Sequence, residues 1–130
     1  MIRLLEVSRF VLALASALLL VACANSQDTK PELPSSVSPG WSLQSLNKAA
    51  GTGSPFCWNA DYEGSGSAAV SVCRFATDAG AFDAVQRARA EAQTVKFQVG
   101  VNEVLVHWNN APKTNLEALI RTIQKALKTQ

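Results

Sequence analysis

The chain has 130 residues, twelve Lys/Arg against ten Asp/Glu, one His, and 48 % hydrophobic residues. A balance so near neutral argues against a nucleic-acid binder, which calls for a clustered basic face. Three Cys and one His are too few to build a zinc site of four protein ligands once one Cys is committed elsewhere.

In chain order, the first nine residues carry Arg3 and Arg9 against Glu6, and Phe10 to Val21 follow without a charge. That run is shorter than the ~20 apolar residues that cross a bilayer. A basic head, a short apolar middle and small residues at the end mark an export signal. A buried helix is the poorer alternative. A helix apolar on every side needs a core around it, and the chain that follows is too short to supply a large one. Leu20-Val21-Ala22-Cys23 closes the segment.

With that box the segment resembles bacterial lipoprotein signals. The resemblance implies that residues 1–22 are a signal peptide removed on export. It implies that the Cys23 thiol carries a diacylglycerol and that the new amino group takes a further acyl chain such as palmitate. The partner at this site is then membrane lipid. Several acyl chains make a stable anchor, since each buried methylene contributes about 0.8 kcal/mol. Ala24 stands where an Asp would mark inner-membrane retention, so the resemblance implies the outer membrane, with the domain facing the periplasm. Ordinary cleavage after Ala24, releasing a chain that starts at Asn25, is the alternative.

Residues 23–40 are polar and broken by Pro31, Pro34 and Pro39. They read as a tether without a core of its own, able to lift the domain about 50 Å at ~3.1 Å per residue. The folded unit is expected over 41–130, a size that gains from a covalent staple. Cys57 and Cys73 are the candidates, because export brings them to an oxidising compartment. They are not spaced as a C-x-x-C redox pair.

Trp41 and Leu43 are expected to return onto the core, with Ser42 to Ala50 a short helix or irregular. Phe56, Trp58, Ala60 and Tyr62 alternate with Cys57, Asn59 and Asp61; Ala68, Val70 and Val72 alternate after a Gly-Ser turn. This is the pattern of a hairpin. A loop centred on Ser65 puts both apolar sets on one face and sets Cys57 opposite Cys73 on the other. Thr77 or Asp78 starts a helix with Ala81, Phe82, Val85, Ala88 and Ala92 on one side. Asp83–Arg87 and Arg87–Glu91 are i,i+4 pairs on its wet side. Val95, Phe97 and Val99, then Val104, Val106 and Trp108, give a second hairpin. Thr114 and Glu117 form a capping box for a last helix striped by Leu116, Leu119, Ile120, Ile123 and Leu127. The expected fold is α+β: a four-stranded, mostly antiparallel sheet (ββαββα) with two helices packed on one face.

Gly40, Trp41, Ala81, Phe82, Ala84, Val95, Phe97 and Gly100 fall in the order of a recurring pattern. Leu-Pro and Gly-Trp come first, then a hairpin, a helix with Ala-Phe-x-Ala, Val-x-Phe-x-x-Gly, and a closing strand and helix. In this the C-terminal domain resembles a group of uncharacterised bacterial envelope proteins. The resemblance implies the layout and carries no activity.

No catalytic constellation stands out, and neither a cofactor nor a metal is expected. His107 is the single histidine, without a nucleophile and an orienting group nearby in the pattern. Asp61 and Glu63 flank a turn, where carboxylates are common for local hydrogen bonding. Gly51-Thr52-Gly53-Ser54 and Gly64-Ser65-Gly66-Ser67 lack the Lys-Ser/Thr and helix of a P-loop. Lys113, Arg121, Lys125 and Lys128 make the last helix basic toward its end, which complements the negative helix terminus; a weak contact with anionic lipid or wall polymer is the alternative. Trp58 and Trp108 fall on core positions, which disfavours a sugar-stacking platform. What remains is a bare sheet face offering Asn59, Asp61, Ser71, Phe75, Lys96, Gln98, Leu105 and His107 beside the cysteines. The expectation is therefore a lipid-anchored binding or structural module, not an enzyme, acting through this face on an envelope protein or wall polymer. The alternative is a small hydrolase or wall-modifying enzyme using Asp61, Glu63 or His107.

Overall fold

The computed structural model describes residues 29–50, 54–87 and 91–130. The signal segment, the Leu20–Cys23 box, Gly51-Thr52-Gly53 and Ala88 lie outside them. The elements are β1 (Ser36–Val37), β2 (Trp41–Lys48), β3 (Phe56–Gly64), β4 (Ser67–Arg74), α1 (Asp78–Arg87), β5 (Thr94–Val99), β6 (Asn102–Asn109) and α2 (Lys113–Lys128). They form an α+β fold on one six-stranded sheet ordered β1-β2-β3-β4-β6-β5, with every neighbouring pair antiparallel.

The sheet is larger than the four strands expected. The extra strands are β1 and β2, and β2 occupies the stretch read as a short helix or irregular. A β-bulge explains why. The β2–β3 register shifts between Leu43 and Ser45, so one added residue resets the alternation. Trp41, Leu43 and Leu46 consequently share the core side although the step from Leu43 to Leu46 is three.

Both hairpins adopt the expected registers. Glu63 pairs with Ser67 and Cys57 with Cys73, while Val99 pairs with Asn102 across a two-residue loop in which Gly100 supplies the left-handed backbone (φ 58°). Gly64 lies so close to the Gly40 carbonyl that a Cβ there would collide with it, which locks the two turns together.

One core cluster joins Trp41, Ala60, Tyr62, Ala68, Val70, Val72, Val104 and Val106 from the strands to Leu116, Leu119, Ile123 and Leu127 of α2. The α2 stripe is thus the one the periodicity predicts. Its start differs: Pro112 is the N-cap residue and no side chain caps the helix. Thr114 falls inside the first turn, so it does not form the expected capping box with Glu117.

The helices do not share one face of the sheet. Ala81 of α1 is fully buried yet is not part of the core cluster. A Cβ added at its neighbour Gly80 would meet the Phe75 ring. Gln98 Nε2 donates to the Asp78 carbonyl at the start of α1, 2.9 Å away. Phe75 and Gln98 belong to the alternate set of strand positions, so α1 covers the β5–β6 end of the outer face while α2 covers the inner one. Thr77 caps α1, its Oγ1 accepting from the Gly80 N–H at 3.1 Å. Phe82, expected inward, is 53 % exposed; Ala81 takes the contact because a small residue lets the helix lie close to the sheet. Ala92 and Glu91 fall beyond the helix, so the Arg87–Glu91 pair is not a helical one.

Residues 29–40, expected within the tether, lie on the domain. Pro31 and Val37 are buried and Leu33 packs against the core, a period of two hidden by the prolines and polar residues between them. Tyr62 Oη donates to the Pro34 carbonyl at 2.7 Å, Leu43 N–H donates to the Ser35 carbonyl at 2.9 Å, and Gln130 and Glu32 exchange two hydrogen bonds of 2.9 and 2.7 Å. Burial pushes the Tyr62 phenol up to about 12, because the phenolate would lose its water there.

Candidate functional site

Period-two alternation leaves the outer face of β2, β3, β4 and β6 to a different set of residues, and the registers arrange them in rows across the sheet. One row runs Ser45, Asp61, Ala69, His107 and Thr94. The next, toward the Ser65 turn, runs Ser42, Glu63, Ser67 and Asn109. On the other side come Asn47, Asn59, Ser71, Leu105 and Lys96, then Cys57, Cys73, Glu103 and Gln98.

The first two rows enclose an open groove of about 270 Å³, lined by Ser45, Asp61, Glu63, Ser67, Ala69, His107 and Asn109 among others. Ala69 is its floor: a methyl between taller neighbours leaves the depression. Ser45 Oγ donates to Asp61 Oδ2 at 2.9 Å on one wall. On the other, Thr94 Oγ1 lies 3.1 Å from His107 Nδ1. Two strand spacings separate Asp61 from His107, about 10 Å between backbones, so they do not form a hydrogen-bonded dyad. Asp61, Glu63 and His107 are exposed. Thr94 beside His107 is the nearest approach to a nucleophile and base, but no carboxylate hydrogen-bonds the imidazole among the described residues. A triad-like arrangement needs that third group.

The face expected from the sequence is therefore divided. Asn59, Asp61, Ser71 and His107 remain together on the uncovered part. Phe75, Gln98 and Leu105 are half-buried where α1 meets the sheet, and Lys96 is half-buried on edge strand β5. Phe75 and Leu105, the two apolar members of the face, are thereby drawn toward a packing role. Ser45, Ser67, Ala69 and Asn109 complete the groove, Thr94 stands against His107, and all five escaped the sequence reading. Ser45 was hidden by the bulge, and Ala69 and Asn109 carry no signal until strand order places them beside Asp61 and His107.

Cys57 and Cys73 form a disulfide with Cα atoms 4.0 Å apart, the close approach of a non-hydrogen-bonded antiparallel pair. Trp41 Nε1 donates to the Asn115 carbonyl at 2.8 Å. Trp58 Nε1 is buried without a partner. These indoles serve the inner side of the sheet and leave no aromatic platform in the groove. Among the described residues no His/Cys/Asp/Glu cluster has the form of a metal site, and no helix is long and apolar enough to cross a membrane.

A second, larger hollow of about 670 Å³ opens at the opposite end of the domain, between Thr29, Arg74, Val101 and Gln130. Compared with family models, with curated proteins and with solved structures, the chain matches none.

Proposed function

We propose that the chain is an exported lipoprotein, acylated at Cys23 and held at the outer membrane, whose domain is a small binding or structural module. The groove over Ala69 is its working surface, and an envelope protein or wall polymer is its partner. The observation that carries this reading is the sorting of side chains by face. Five adjacent hydrogen-bonding residues (Asp61, Glu63, Ser67, His107 and Asn109) line one open groove on paired strands. Rigid elements of this kind hold donors and acceptors in place for recognition.

The partner's chemistry follows from the lining. With hydroxyls, an amide, carboxylates and an imidazole but no aromatic side chain on its outer face, the groove suits a ligand rich in hydrogen-bonding groups rather than an apolar one. A photo-crosslinking residue at Ala69 in the intact cell tests this. A discrete adduct that disappears in the Asp61→Ala/His107→Ala background supports the module, and no adduct above that of a control at exposed Phe82 removes it. Intact mass of the mature chain tests the acylated Cys23.

The second reading, a small hydrolase or wall-modifying enzyme, is favoured by the gathering of Asp61, Glu63 and His107 around one groove. Alanine at all three with unchanged wall composition and cell phenotype removes it.

A further inference from the structure

We propose that the domain stands upright and close on the lipid surface, with one defined end against the headgroups and the groove turned away from them. The inference rests on the acylation of Cys23 proposed above and adds an orientation and a contact surface to it.

The argument begins with the strap, residues 29–37. It is fixed to the domain along its length by the hydrogen bonds of Glu32, Pro34 and Ser35 and by buried Pro31 and Val37. The strap starts at one end of the molecule: Arg74 Nη1 donates to the Thr29 carbonyl at 3.3 Å, and Arg74 pairs with Asn102 where β4 ends and β6 begins. The β5–β6 turn, the β4–α1 connection and the C-terminus of α2 share this end. The Ser65 turn, Asn109 and the start of α2 define the other.

Only six peptide steps join Cys23 to Thr29. Whatever their conformation, they span at most about 20 Å, against the 50 Å of a tether running to residue 40. A headgroup layer of about 6 Å takes part of that, leaving about 15 Å of clearance. β3 alone is nine residues long, so the domain is about 30 Å from end to end along its strands. Turning it over would raise Thr29 by about that height, beyond what the leash reaches. The inverted orientation is therefore excluded by covalent geometry. In the upright one, the loops around Val101 and Ala76 face the headgroups and the Asp61–His107 groove sits in the far half.

Charge does not set this orientation. The lipid-facing end mixes Lys30, Arg74 and Lys128 with Glu32, Asp78 and Glu103, so the preference should persist at high salt, unlike an electrostatic dock.

The tryptophans are built-in reporters, with Trp58 in the lower part of the sheet and Trp108 near the top. The mature acylated protein is placed in phosphatidylethanolamine/phosphatidylglycerol vesicles carrying a dansyl headgroup, and energy transfer from tryptophan is read. Trp58→Phe should remove more than half of the transfer, and Trp108→Phe should leave most of it. Ten Gly/Ser residues inserted between Asp28 and Thr29 should lower wild-type transfer several-fold. Hydrogen exchange on the unaltered chain is the independent readout: Val101 should slow on vesicles relative to the Cys23→Ser protein, and Ser65 should not. Acylated protein whose transfer ignores both the spacer and the tryptophan removed, with Val101 unprotected, overturns the orientation by itself. A mature chain without acyl mass on Cys23 overturns the anchor and the orientation with it.

Discussion

Val70 and Ala69 are neighbours in one strand, yet they belong to two different molecules in physical terms. Val70 points into a layer closed by α2 and the strap and is 1 % exposed. Ala69 points outward and is the floor of a polar groove. The same alternation repeats along β3 and β6, so a single sheet carries a dry inner face that holds the fold and an outer face that stays wet where α1 does not cover it. Stability resides in the first, and the second tolerates change because its side chains keep their water.

The sharpest way to break that contrast is to put one polar residue on each side. Val70→Asn should cost about 4 kcal/mol, since an amide without partners replaces a packed aliphatic group. Ala69→Asn should stay within about 1 kcal/mol, with both midpoints read by urea denaturation. A smaller effect comes from the covalent staple of the outer face. Cys57→Ala/Cys73→Ala, or reduction, should lower stability by about 3 kcal/mol, the entropy of a loop of this size in the unfolded chain, with a sequence separation of 16.

Tyr62 probes the inner face through pH. Its folded value of about 12 lies above the ordinary 10.0, so the folded state keeps the proton that the unfolded chain releases. Its contribution is complete below pH 10 and is lost as pH rises toward 12, with on the order of 1 kcal/mol going between pH 9 and pH 11. Urea midpoints at pH 9 and pH 11 should differ accordingly, and Tyr62→Phe should flatten that part of the profile. The smallest expected effect sharpens the comparison from the wet side: Asp61→Ala and His107→Ala should each shift the midpoint by less than about 0.5 kcal/mol. In the same variants the crosslinked adduct at Ala69 should disappear. A large loss of stability from either would mean that the groove belongs to the scaffold.

Short-range pattern was enough wherever one period ran unbroken. The two hairpins, the cross-strand position of Cys57 and Cys73 and the α2 stripe were readable because each depends on residues close together in the chain and on one buried face. Even the groove was partly visible, since alternation alone placed Asp61 and His107 on one side. The reading failed where a distant partner or an added residue changed the phase. The bulge at Gln44 concealed β2 and with it Ser45, and Pro31, Pro34 and Pro39 made the strap look like a linker.

The amino-acid sequence by itself determined the two hairpins, their registers, both helices and the polarity of each hairpin face, because side-chain direction in a strand is fixed by backbone geometry. Only the tertiary structure decided which strands stand side by side, that α1 crosses to the face opposite α2, and that the strap folds back onto the domain. Those choices depend on filling one shared core and on hydrogen bonds between segments as distant as Glu32 and Gln130, interactions that have no counterpart in any single stretch of chain.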